Sequence, residues 1–391
     1  MFSPFVLSPV GESLVSTAHK IAEEVARPHA SAVDADSRFP HETFDAVRES
    51  RLLGAYIPVE LGGEGATLSD LAAISHALSQ GCSSSGMVYA MHQIQVACLL
   101  HHGLDVEGLR AYARRVASEQ LLLASATTEL GVGGDVRTSL CAVDLNETTF
   151  ELRKETPVIS YGDHCDAIFV TARRSRDAAS SDQVIVVVDK ADAELVQTSV
   201  WDVLGMRGTC SHGYVLTARG DRDRVLPEPY ADISSVTMLP VTHILWASLW
   251  LGIATDAVNA TRAYLRTTAR KSAGETPSFA SDVAALFAEL EMVSATVESA
   301  LRLHSSLHTT PSALTEPGVV LRMNSLKTSV SAAVIRIIGQ ALHILGITGY
   351  RNNSSNSVGR QLRDAHSASL MVHNERILQN NGRLLCVYKG P

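Results

Sequence analysis

The sequence has no long basic run, no paired cysteines and no extended apolar stretch, and each absence argues against a class of function. Lysine and arginine number 33 against 41 aspartate and glutamate, a formal net charge of −8. With no basic patch to neutralise a phosphate backbone, nucleic acid is not an expected partner. The six cysteines, Cys82, Cys98, Cys141, Cys165, Cys210 and Cys386, are scattered. None forms a CxxC pair or clusters with histidine at metal-ligand spacing, so no metal site is expected and a reducing compartment fits best. The opening Met1-Phe2-Ser3-Pro4 lacks the charged and then apolar regions of a signal peptide, and the longest mostly apolar run, Ile244 to Ala254, is short for a bilayer. The expectation is a cytoplasmic chain with no export signal and no membrane anchor. Internal repeats and low-complexity segments are also missing.

What remains is an ordinary globular composition: 391 residues, 46% hydrophobic, enough for a large core divided among two or three packed units. Residues 1–120 read as helical. Leu14, Ala18, Ile21 and Val25 recur at helical spacing until Pro28, where a break is expected. The turn Gly62-Gly63-Glu64-Gly65 precedes a helix expected from Ser69, as N-cap, to Leu78, and Met87 to His102 forms another. Residues 121–235 change to short β-rich runs, among them Thr148 to Leu152, Ala167 to Thr171 and Val184 to Val188. From residue 236 to 391 the helical period returns in Val283, Leu286, Phe287, Leu290, Val293 and Val297, and again from Ala332 to Leu345. The order is helices, strands, helices: an α+β chain in three units.

Local motifs in all three units sharpen this. The first carries Arg38-Phe39-Pro40 and Leu53-Gly54 followed by Ile57-Pro58-Val59-Glu60-Leu61-Gly62-Gly63. The second carries Thr127-Thr128-Glu129-Leu130-Gly131-Val132-Gly133-Gly134-Asp135, then Val158-Ile159-Ser160-Tyr161-Gly162, then Trp201 with Leu204-Gly205-Met206-Arg207-Gly208-Thr209 and Ser211. The third carries Ala341-Leu342-His343-Ile344-Leu345-Gly346-Ile347-Thr348-Gly349-Tyr350 and Leu362-Arg363-Asp364-Ala365. Together they resemble the acyl-CoA dehydrogenase family over nearly the whole chain. The resemblance implies an N-terminal helical domain, a middle β-domain and a C-terminal four-helix bundle, with FAD bound near a contact in a homodimer or homotetramer.

By that resemblance, Thr127, Thr128, Gly133 and Gly134 line a loop against the flavin, where clustered glycines let backbone N–H groups approach an electron-rich ligand. Ser160 stands where a hydroxyl reaches the flavin N5 region. His343, Gly346 and Gly349 belong to a segment that touches FAD, and Arg270, near Gly274, loosely resembles an arginine that meets the FAD diphosphate of a neighbouring subunit. The sequence departs from the family at Leu130, in place of proline, and at Gly134, in place of serine. Val158 replaces an aromatic residue, His343 replaces glutamine and Ile347 replaces glycine.

The implied reaction oxidises a small acyl thioester, carried by CoA or by an acyl carrier protein, between Cα and Cβ. Electrons would pass to an electron-accepting flavoprotein or to oxygen. That chemistry needs a base for the α-proton. The two usual glutamate positions fall near Val372 and at Thr242, neither acidic. Glu375 can serve if its loop is about three residues longer than usual, an expectation resting on the need for a carboxylate. His373 is the alternative, since imidazole titrates near neutrality. His92 and His243 read as hydrogen-bonded core residues, and Trp246 and Trp250 as core packing. Two rival functions stay open: a flavin-dependent monooxygenase that hydroxylates a heteroatom on the same scaffold, and a non-catalytic flavoprotein subunit.

Overall fold

The computed structural model describes residues 3–271, 275–307 and 309–390. The expected break at Pro28 does not occur. α1 (Pro9–Ile21) runs through a π-helical segment, Ala22–Ala26, directly into α2 (Arg27–Ala35). The wider π turn removes the need for the N–H that proline lacks, so the helix continues through it. α3 spans His41–Glu49 and α4 spans Leu68–Gly81. The N-cap of α4 is Thr67 rather than Ser69. Its hydroxyl accepts from the Asp70 N–H at 3.2 Å while the Asp70 carboxylate accepts from the Thr67 N–H at 2.8 Å, a reciprocal cap that only position 67 can close. Asp70 also accepts from the Ser8 N–H and hydroxyl, joining the starts of α1 and α4. α5 (Ser83–His102) and α6 (Glu107–Glu119) complete the first unit.

The middle unit contains two sheets. β1 (Leu123–Ala126), β4 (Ala167–Arg173) and β5 (Gln183–Asp189) form one, in the order β1-β4-β5, with β1 parallel to β4. β4 and β5 are buried almost throughout, because both faces are covered. β2 (Asp144–Leu145), β3 (Thr149–Ile159), β7 (His212–Asp221) and β6 (Ala193–Ser199) form the other, in the order β2-β3-β7-β6.

After a short α7 (Tyr230–Ile233), three long helices make the C-terminal bundle: α8 (Leu239–Lys271), α9 (Ala280–Ser306) and α10 (Pro317–Leu345). The short α11 (Ile347–Tyr350), α12 (Gly359–Ala365) and α13 (Ser367–Leu370) lead to α14 (Asn374–Leu385), which packs on α10. Two stretches, Tyr230–Lys271 and Pro317–Leu345, are long and apolar enough to cross a membrane, which the short run read from sequence did not suggest. The apolar window of the first is 89% buried inside the fold, as a central core helix requires. That of α10 is only 44% buried, so one side of this helix is uncovered in the single chain.

The three units meet at one junction. Arg363 forms a two-pronged ion pair with Asp34 of α2 and donates to the Leu204 carbonyl. The neighbouring Asp364, fully buried, accepts from the Met206 N–H at 2.6 Å. Arg207 returns to the Asp34 carbonyl at 2.8 Å.

Candidate active site

The glycine loop leaves the end of β1 and turns back beside β3. Its start is held there: the Leu130 N–H donates to the Glu155 carbonyl at 3.0 Å, and the Thr128 hydroxyl donates to the Val158 carbonyl at 3.2 Å, beside the Thr156 hydroxyl at 3.0 Å. Gly131, Gly133 and Gly134 all adopt positive φ (92°, 59° and 75°), a conformation that disfavours side chains. Nothing lies within 4 Å of the place where a Gly133 Cβ would stand. The loop base is anchored on the buried side by Glu129, which accepts from the Ser139 hydroxyl at 2.6 Å and the Cys141 N–H at 2.7 Å. Lys154, fully buried, pairs with it at 3.7 Å and donates to the Thr171 carbonyl and hydroxyl. Burial pushes the Lys154 ammonium down to about 8, with Glu129 opposing that shift. Thr127 takes part through its carbonyl, which accepts from Thr171.

Next to this loop, β3 breaks register with β7 between Thr156 and Ile159. Such a bulge re-aims the strand end. It delivers Ser160 to a relay in which Thr209 and Ser211 hydroxyls lie 2.8 Å apart and Ser211 donates to Ser160 at 2.8 Å. Because Ser160 accepts, its own proton is free to be donated outward. The following Tyr161 locks the turn from φ 43°, its hydroxyl donating to the Leu123 carbonyl and its N–H to the Thr209 carbonyl.

The C-terminal turn reaches the same place from the other side. The Arg376 guanidinium donates to the carbonyls of Gly133 and Gly134. Glu375 precedes it in the first turn of α14, with His373 at the N-cap, and both side chains are exposed. Behind the turn, Lys327 of α10 is fully buried and donates to the Val372 carbonyl at 2.8 Å and the Asn374 side chain at 2.7 Å. Val372 has φ 45°, a strained conformation for a β-branched residue that this clamp helps to hold.

Thus Thr127, Thr128, Gly133, Gly134, Ser160, His373 and Glu375 belong to one connected region. Arg270, His343, Gly346 and Gly349 do not join it within a single chain. Arg270 is exposed near the end of α8, and Gly274, its sequence landmark, lies outside the described residues. His343 is exposed on α10, and neither it nor Arg270 makes an ion pair or hydrogen bond among the described residues. Gly346 ends α10 with φ 56°, and Gly349 is buried where a Cβ would stand 2.7 Å from the Leu345 Cβ. His92 is a satisfied core residue: its ring bonds the Leu53 carbonyl at 2.8 Å and the Leu123 N–H at 3.0 Å. His243 is buried with its ring against the Met323 carbonyl, and among the described residues neither ring nitrogen completes a well-formed hydrogen bond.

Roles for Arg376, Lys154 and Lys327 escaped the sequence reading. Lys327 had a detectable signal, since it lies one turn after Met323 in the buried register of Met323, Val330, Val334 and Ile337. Arg376 had none, because its partners are backbone carbonyls about 240 positions away.

Residues 9–134 match the acyl-CoA dehydrogenase N-terminal domain, and residues 234–372 match the acyl-CoA dehydrogenase C-terminal domain. The amino sugar nitrososynthase DnmZ of Streptomyces peucetius is 26% identical over 346 residues, 86% of this chain and 84% of the relative. The short-chain specific acyl-CoA dehydrogenase of Clostridium acetobutylicum is 22% identical over 372 residues, 92% and 93% of the two. The FMN-bound TdsC of Paenibacillus sp. A11-2 superposes with a TM-score of 0.84 at 20% identity, covering 97% of this chain and 98% of that one.

Proposed function

Because the chain belongs to the acyl-CoA dehydrogenase family, we propose that it is a flavin-dependent oxidoreductase that oxidises a small acyl thioester between Cα and Cβ. One observation carries the proposal: the glycine loop ties together segments far apart in sequence, bonding Arg376 of the C-terminal turn through Gly133 and Gly134 and, through Thr128, the strand end that carries Ser160. The residues fit the family's FAD: Gly133, at positive φ, has nothing within 4 Å of its Cβ position, and Ser160 offers a proton with no acceptor among the described residues. Bound FAD would supply the hydride acceptor. Thr128, Gly133, Gly134 and Ser160 would hold the ring side, while Arg270, His343, Gly346 and Gly349 would reach the cofactor of a second copy in a homodimer or homotetramer. The partly uncovered α10 supports that assembly. A thioester delivered by CoA or an acyl carrier protein would enter beside the turn, with Glu375 taking the α-proton and His373 as the alternative base. Electrons would leave to a partner flavoprotein or to oxygen, in a cytoplasmic setting.

One observation favours a second reading, heteroatom oxygenation on the same scaffold. Thr242 and Val372 provide no carboxylate, and Glu375 is solvent-exposed rather than enclosed. Among relatives and neighbours, DnmZ is a nitrososynthase and TdsC a dibenzothiophene monooxygenase. Anaerobic mixing with a thioester panel separates the two. Bleaching of the flavin supports dehydrogenation. No bleaching, with product carrying oxygen from labelled air, supports oxygenation. Neither result leaves a binding subunit. If the first holds, Glu375→Gln is expected to abolish bleaching with FAD still bound, and a normal rate in that variant would remove Glu375 from the mechanism.

A further inference from the structure

The seam between α8 and α10, directly behind the 372–374 turn, is rich in buried hydrogen-bond donors and short of acceptors. His243, Trp246 and Trp250 fall at i, i+3 and i+7 on α8 and so share one face. The two indole rings are 5.9 Å apart, and the Lys327 ammonium stands 5.8 Å from the centre of the Trp250 ring. All four residues are buried. Among the described residues neither indole N–H has an acceptor, and the His243 ring lies against the Met323 carbonyl.

Lys327 itself has no carboxylate partner among the described residues. Its two acceptors, the Val372 carbonyl and the Asn374 side chain, leave its third N–H unassigned. The other polar groups nearby are engaged with one another, Asn374 donating to Ser331 at 2.9 Å and Ser331 to the Thr328 carbonyl at 3.0 Å. Buried donors in folded proteins find acceptors in about nine cases of ten, and a buried cation without a counter-charge is costly. Several such groups at one seam point to an acceptor that arrives with a ligand. Burial pushes the Lys327 ammonium down to about 8, which still leaves it mainly protonated at neutral pH. His243 is pushed down to about 4 and is neutral there.

We propose that Lys327, Trp246, Trp250 and His243 form a recognition site for a carboxylate carried by the acyl portion of the substrate. The substrate class is then a dicarboxylic acyl thioester, its far carboxylate at the seam and its thioester end toward the 373–376 turn. This assignment rests on the thioester reading of the site.

The test uses the full-length holoprotein and short probes. Succinate is expected to change tryptophan fluorescence saturably and to raise the melting temperature, whereas its neutral diamide does neither. Lys327→Met is expected to weaken succinate binding about tenfold or more, the scale of a lost charged hydrogen bond. If that variant does not fold, Trp246→Phe decides by the melting shift: weaker binding supports the site and unchanged affinity overturns it. No saturable response in the wild type, or an equal one in Lys327→Met, also overturns it. With thioesters, succinyl-CoA is expected to bleach the flavin at lower concentration than butyryl-CoA. Bleaching by both alike with no succinate binding removes the carboxylate site and keeps the dehydrogenase. Succinate binding with no bleaching by any thioester keeps the site and removes the dehydrogenase.

Discussion

Gly205 shows how little room the junction between units leaves. A Cβ there would stand 2.2 Å from the Arg363 carbonyl oxygen and 2.6 Å from the Asp364 nitrogen, both backbone atoms that cannot turn aside. Gly205→Ala is therefore expected to destabilise by roughly 1–3 kcal/mol, the range for overpacking, read as a lower denaturant midpoint. Ser160 is constrained in another way, by a hydroxyl chain in which it accepts from Ser211. Ser160→Ala is expected to slow thioester-driven bleaching roughly tenfold or more, as loss of a hydrogen bond made at the reacting centre does. Circular dichroism should stay unchanged, and an undiminished rate would take Ser160 out of the site.

At the scale of elements, the 371–375 turn holds a β-branched residue in the left-handed region. Val372 at φ 45° carries strain, and the Lys327 clamp opposes its release. Val372→Gly is expected to gain about 1 kcal/mol in stability, since relief of a left-handed β-branched residue outweighs the added entropy of the unfolded chain. Equilibrium unfolding measures this, and a loss of stability would mean that the valine side chain contributes more than its backbone costs. The continuous α1–α2 rod makes a similar point. Pro28 predicts a break by its own chemistry, but a π turn placed just before it absorbs the missing hydrogen bond.

For the whole molecule, buried imidazoles set a response to acid. Burial pushes His92 and His243 each down to about 4. Between pH 6.5 and 4 the unfolded chain binds protons that the folded chain refuses, so stability is present above about 6.5 and is lost as pH falls toward 4. Melting temperature should fall over this window, and His243→Phe should flatten the slope. An identical slope in the variant would show that His243 is not a source. Assembly also belongs to this scale: α10 is apolar but less than half buried in one chain. Sedimentation is expected to give a dimer or tetramer, and Arg270→Ala to reduce retained FAD without changing that mass.

The order of helices, strands and helices, and the motifs that carry the family, were legible in residues 1–391 because hydrophobic period and glycine chemistry are local properties. The loop Gly131–Gly134 could be read as a loop from its glycines alone. Its contact with Arg376 could not, because a guanidinium bonding backbone carbonyls leaves no complementary residue to find. Lys327 is the sharpest case: the sequence determined that a lysine occupies a buried register of an apolar helix. Only the packing of α8, α10 and α14 decided that this cation would face the Trp250 indole, the His243 imidazole and a strained turn, with no carboxylate partner among the described residues. Local sequence selects elements through the backbone's short-range preferences, whereas the environment of a side chain comes from residues brought near by the fold.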